Sequence, residues 1–163
     1  MMEERAQRGK QWLETLLKLM NLNTTTTSEG FATIAEDSES CWLNIDADNL
    51  TPEQIQLLIG SRGENIDAIQ YLANTLLNLD RQSDLQGSYT VELNGYRVNR
   101  YQELLDIADN AAAKVRATGE ATEVPNLSSA ERKQIHSFLQ NSPDLVTESR
   151  GQEPDRKLVV KPR

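Results

Sequence analysis

A chain of 163 residues has room for one ordinary domain or two small ones, and an apolar content of 37% is enough for a core in each. Its single cysteine, Cys41, excludes an internal disulfide and a cysteine-rich zinc site, its single histidine excludes a metal site built on several histidines, and no apolar run is long enough to span a membrane. A net charge of −8 argues against an indiscriminate grip on polyanions, because neutralising phosphates supplies non-specific nucleic-acid affinity.

That charge is unevenly placed. Between Thr25 and Leu58 stand Glu29, Glu36, Asp37, Glu39, Asp46, Asp48 and Glu53 with no Lys or Arg, so these seven leave only −1 for the remainder. Basic residues can dominate elsewhere, and binding to an acidic partner is expected to be local and moderate. The first residues lack the basic start and apolar middle of a secretory signal, which makes the cytoplasm the expected location.

Residues 3–22 read as an amphipathic helix, with Trp12, Leu13, Leu16, Leu17, Leu19 and Met20 on a broad apolar side. Asn23 and four threonines end it and read as a polar connector. Residues 31–35 and 41–46 read as strands joined by a polar turn over 36–40, which suggests a hairpin. Thr51 as N-cap and Pro52 at the first helical position open a short apolar helix over 52–59. A longer helix follows, with Ile66, Ile69, Leu72, Ala73, Leu76 and Leu77 at helical spacing. Residues 81–87 read as a loop and 88–93 as an alternating strand.

Between the two central helices lies Gly60-Ser61-Arg62-Gly63. Two glycines three apart allow a sharp turn and a close approach to another backbone. The next helix starts at once, so its free N–H groups and positive dipole end point into the turn, where a sugar–phosphate backbone fits. A packed helical corner also explains the glycines, but not an arginine exposed between them.

Asn94-Gly95 ends the third strand, and a long helix runs over 98–118 with Gly119 as C-cap. A domain boundary falls near Gly95. Residues 121–124 read as a strand closed by Pro125. Ser128 and Glu131 form a capping box that starts a helix in which Ile135, Phe138 and Leu139 face the core. Arg132 and His136, four apart, lie on neighbouring turns at the margin of that apolar face and can act together. Residues 145–149 and 157–161 read as strands, with 150–155 as the turn between them. Phe31, Tyr71, Tyr89 and Phe138 fall on apolar stripes and are expected in the core.

The order helix, strand, strand, helix, turn, helix, strand over residues 5–94, with Gly60-x-x-Gly63, resembles the prokaryotic type II KH domain (α-β-β-α-α-β). The helix with Arg132-x-x-x-His136, followed by Thr147-Glu148-Ser149 and the run from Arg156 to Val160, resembles the R-three-H domain, named for its arginine and histidine. Together they resemble the Jag family, the SpoIIIJ-associated RNA-binding proteins of bacteria. That resemblance implies an α+β chain with a KH domain over residues 1–95 and a small α/β R-three-H domain over 96–163 that includes the connecting helix. Family members commonly carry a further N-terminal domain, whereas this sequence starts at the KH-like segment.

The resemblance also implies single-stranded RNA as partner, with single-stranded DNA as the alternative, and a role in post-transcriptional regulation. Gly60, Ser61, Arg62 and Gly63 carry over as the backbone clamp, and Arg132 and His136 as the second contact. The usual turn holds two basic residues between the glycines, and Ser61 takes the place of one. On the chain's own chemistry, the amides of Ser61 to Gly63 donate to phosphate oxygens and Arg62 adds a charged donor. Bases lie against an apolar groove formed by Ile59, Ile66 and the edge of strand 41–46. Arg132 pairs with phosphate or stacks, and His136 stacks or hydrogen-bonds. Lys133, Arg156, Lys157 and Lys161 either extend the positive surface or are ordinary solvated charges.

Two other readings are weighed. Arg132 and His136 beside Glu131 could cleave RNA by acid–base chemistry, but no second base or pocket is legible, so no enzyme, metal or cofactor is expected. Alternatively, the acidic segment or the first helix makes the chain a protein-interaction adaptor in a cell-elongation or ribosome-associated complex. The family resemblance suggests a small single-KH protein as such a partner.

Overall fold

The computed structural model describes residues 2–28, 40–79 and 86–163. It is an α+β chain that divides into two compact units, Met1–Val98 and Asn99–Arg163. No helix among the described residues is long and apolar enough to cross a membrane.

The first unit begins with α1 (Met2–Leu19), whose Leu13 and Leu17 are fully buried. β1 (Thr26–Thr27) pairs antiparallel with β2 (Cys41–Ile45), which pairs parallel with β3 (Tyr89–Leu93). A parallel pair requires a crossover, and α2 (Pro52–Ile59) and α3 (Glu64–Leu76) lie within it. Leu43 and Ile45 of β2 and Tyr89, Val91 and Leu93 of β3 join Leu58 and Ile66 in one core.

Side chains finish the sheet at β3, its outer strand among the described residues. Asn74 of α3 donates to the Tyr89 carbonyl and accepts from the Tyr89 amide, both at 2.8 Å. Gln70 accepts from the Val91 amide at 3.0 Å, and Arg97 donates to the Val91 carbonyl at 3.1 Å. Polar groups that would otherwise remain open are thus satisfied, and α3 is pinned to the sheet. Those bonds fix α3, with the glycine turn at its start, against the sheet.

In the second unit, β4 (Thr122–Val124), β6 (Lys157–Pro162) and β5 (Leu145–Arg150) form an antiparallel sheet in that order. The long α4 (Tyr96–Thr118) has its first three residues in the first unit and buries Leu104, Ala108, Ala112 and Val115 in the second. Ile135 and Leu139 of α5 (Ser129–Leu139) share that core with Leu158 and Val160. The capping boxes at Thr51 and Ser128 are both closed, and Gly119 ends α4 at φ +72° with its amide on the Val115 carbonyl.

Three expectations change. The antiparallel partner of β2 is Thr26–Thr27, inside the threonine run read as a connector; the strand expected over 31–35 lies outside the described residues, as does Phe31. β-branched threonines suit a strand, and Glu14 accepts from both the amide and the hydroxyl of Thr26. Tyr71 is 70% exposed and not in the core, because Ile66, Ile69 and Ala73 form the buried face of α3 and Tyr71 points away from it. Phe138 is half-buried, edge-on to Tyr101.

Candidate nucleic-acid interface

Helix α2 is stopped by Gly60, whose φ of +76° and ψ of 177° lie in a region open essentially to glycine alone. Its amide still closes the last turn on the Gln56 carbonyl at 2.8 Å. Ser61–Gly63 form a tight turn, with Arg62 at φ +54° and Gly63 at φ +80° both left-handed, before α3 begins. Asn65 locks the corner by donating to the Leu57 carbonyl at 2.6 Å.

Both glycines also make close approaches. A Cβ on Gly60 would lie 2.9 Å from the Asn65 amide nitrogen, and one on Gly63 would lie 2.1 Å from the Tyr96 hydroxyl. The packed-corner explanation therefore accounts for the glycines. It does not account for Ser61 and Arg62, which are exposed and whose amides and side chains have no hydrogen-bond partner among the described residues. Gly63 differs: it is buried, and its amide makes a long 3.4 Å bond to the Gly60 carbonyl. Among the described residues two amides are open here, not three.

The expected apolar wall is corrected. Ile66 is fully buried and offers no surface to a base, while Ile59 is half-buried against the first core. Cys41–Ile45 is the middle strand of its sheet, not an edge. The surface beside the turn is a shallow hollow of about 610 Å³ lined by Pro52, Glu53, Gln56, Leu57, Gly60, Ser61 and Asn65. Leu57, 61% exposed, supplies its apolar floor. A signal for Leu57 existed: in Leu57-Leu58-Ile59, three consecutive apolar residues on a short helix cannot all face one core. The Glu53 carboxyl, held below its usual range by its own amide and then by the Thr51 hydroxyl, keeps a negative charge in the lining of this hollow.

In the second unit, a cleft of about 430 Å³ between α5, β5 and the β5–β6 turn brings together Arg132, Lys133, His136, Thr147, Glu153 and Arg156. Lys133 and Arg156 are exposed, and no partner holds either side chain among the described residues. His136 is also exposed and shares a hydrogen bond between Nδ1 and the Thr147 hydroxyl.

Arg132 does not reach solvent as its spacing suggests; it is 4% exposed. Its Nη1 donates to the Leu127 carbonyl at 2.8 Å and the Arg156 carbonyl at 3.3 Å, and its Nη2 pairs with Glu153. At positions 132, 135 and 139 the residue shares the stripe of Ile135 and Leu139, so it lies under the β5–β6 turn and holds that turn to α5. Glu131 is spent elsewhere, on the cap of α5 and on Arg100 at 2.7 Å, and that bond raises the Arg100 pKa further. Lys157 and Lys161 are paired with Glu123 and Glu148 at 2.9 and 2.8 Å, so they add little free positive charge.

Residues 102–162 match the family model of the R-three-H domain, a span that includes the Arg132 cleft. The chain is also similar to curated proteins named RNA-binding protein KhpB. It is 33% identical to that of Clostridium symbiosum over 112 residues, covering 69% of this chain and 50% of the relative. Against the Lactiplantibacillus plantarum protein the identity is 36% over 104 residues, covering 64% and 32%. Against the Bacillus subtilis protein it is 32% over 114 residues, covering 69% and 54%. The chain thus spans between about a third and about half of the length of these relatives.

Proposed function

We propose that this chain binds single-stranded RNA, as part of post-transcriptional regulation, through a KH-type clamp in residues 1–95 and an R-three-H cleft in 96–163. The observation that carries the reading is the pair of amides at Ser61 and Arg62, which with the Arg62 guanidinium beside them have no partner among the described residues, at the start of a helix. The names of the relatives, RNA-binding proteins all, support RNA as the polymer. Phosphate oxygens accept from those two amides and from Arg62, and the hollow floored by Leu57 takes the neighbouring base. In the cleft, Lys133, His136 and Arg156 contact the strand around the guanidinium edge of Arg132. With Glu53 beside the turn and −8 overall, affinity is moderate and sequence preference modest. Single-stranded DNA fits the same amides, and a deoxy competitor measures how far the ribose matters.

Ser61→Asp combined with Arg62→Glu tests the clamp without touching either strained glycine. Affinity for a labelled 12-nucleotide RNA should fall about tenfold at physiological salt, with the melting temperature unchanged, since both side chains point into solvent. Unchanged affinity would remove the clamp from the account.

A second reading, a protein-interaction adaptor with little direct RNA binding, is favoured by one observation. Tyr71, Leu72 and Leu76 of α3 are 70%, 43% and 49% exposed, and with Ala68 and Thr75 they make an uncharged face. Failure of the wild-type chain to bind the 12-nucleotide RNA would favour it.

A further inference from the structure

We propose that the Arg132 cleft is a phosphate site plugged by the chain's own carboxylate: Glu153 occupies the guanidinium edge that a phosphodiester takes, and RNA enters by exchanging one anion for the other. The proposal rests on the RNA reading given above.

The two sides of the Arg132 guanidinium are held in different ways. Nη1 is fixed by main-chain carbonyls, Leu127 at 2.8 Å and Arg156 at 3.3 Å, so the plane of the group is set by the fold. Nη2 faces Glu153, a side chain 58% exposed on the β5–β6 turn whose sole partner among the described residues is Arg132. Glu148, in the same cleft, is anchored by Lys161 and Arg150 together. One carboxylate is built in, and the other is a long side chain free to swing into water.

A buried guanidinium needs an anion, because a charge desolvated without a partner is costly. Carboxylate and phosphate oxygens offer an arginine fork the same geometry, so either satisfies it. Lys133, His136 and Arg156 line the cleft around that edge, and its volume of about 430 Å³ is in the range of small-ligand sites. A phosphate arriving there gains Arg132 only by displacing Glu153, whose charge then stays nearby and opposes it. Glu153 accordingly sets the affinity of the cleft.

Glu153→Gln retains the shape and a carbonyl acceptor for Nη2 but removes the competing charge. Affinity for the 12-nucleotide RNA should rise roughly fivefold, the scale of one partly exposed charge pair. The plot of log affinity against log salt should steepen by about 0.7, one more phosphate neutralised on a single strand. Asp155→Asn removes an equal charge from the same turn without touching Arg132. If it raises affinity as much as E153Q does, the effect is bulk charge and the proposal is overturned.

An affinity unchanged or lowered in E153Q would overturn it too. In the wild-type chain, needing no variant to fold, the Glu153 side-chain carboxyl carbon resonance should move on adding RNA; a stationary resonance counts against the exchange. Lys133→Gln with Arg156→Gln separates the two levels. If that pair weakens RNA binding and E153Q leaves it unchanged, the plug alone is wrong. If the pair leaves binding intact, the cleft reading fails and takes the plug with it.

Discussion

Arg132→Ala should lower the stability of the second unit by roughly 2–4 kcal/mol, enough to abolish RNA binding at the cleft through loss of structure. The substitution leaves the Leu127 and Arg156 carbonyls without their donor, and Leu127 is itself only 7% exposed. It also deletes buried methylenes next to Ile135 on the stripe that faces the core. Glu153, already more than half exposed, recovers water at little cost. Tryptophan fluorescence will not report the loss, since Trp12 and Trp42 both lie in the first unit. Amide hydrogen exchange is the measurement to make: protection in α5 and β6 should fall while that of β2 and β3 stays. A variant that loses RNA affinity with α5 fully protected would show that Arg132 acts through phosphate contact alone and does not hold the fold of the second unit.

Gly60→Ala should cost the first unit about 2–4 kcal/mol, and here denaturation followed by tryptophan emission reads the effect. The backbone at φ +76° and ψ 177° is closed to a residue with a side chain, and the new Cβ would press on the Asn65 amide, which cannot rotate away. Gly63→Ala should cost less. Its φ of +80° and ψ of 13° lie near the left-handed helical region, where an ordinary residue loses only ~1–2 kcal/mol, and Tyr96 is a side chain that can give. The reverse ranking would show that Tyr96 packing, not backbone geometry, holds the corner. For the same reason, weakened RNA binding in a glycine variant does not by itself identify a contact; the exposed pair Ser61 and Arg62 does.

Much of the fold was legible in the chain because its signals are local. Thr51-Pro52 and Ser128-x-x-Glu131 state where α2 and α5 begin, and Gly119 states where α4 ends. The glycine corner was equally plain, as was the exposure of Arg62 at its tip. What stayed hidden depends on contacts between distant segments. Arg132 carries a charge at a core position, and nothing local reveals that the turn with Glu153 and Arg156 closes over it. Lys157 and Lys161 look free until the strand register is known. Glu123 and Glu148 stand opposite Val159 on its two sides, which brings each within reach of a lysine two residues from Val159. Tyr71 sits among apolar residues yet faces out, because Ile66, Ile69 and Ala73 already fill the inner face of its helix.

The most direct test is a backbone amide NMR titration of the whole chain with a 12-nucleotide single-stranded RNA. The amides of Ser61 and Arg62, without partners among the described residues, should show large saturable shifts, accompanied by Lys133 and His136 in the second unit. Shifts confined to Tyr71, Leu72 and Leu76, or none at either the turn or the cleft, would contradict the account.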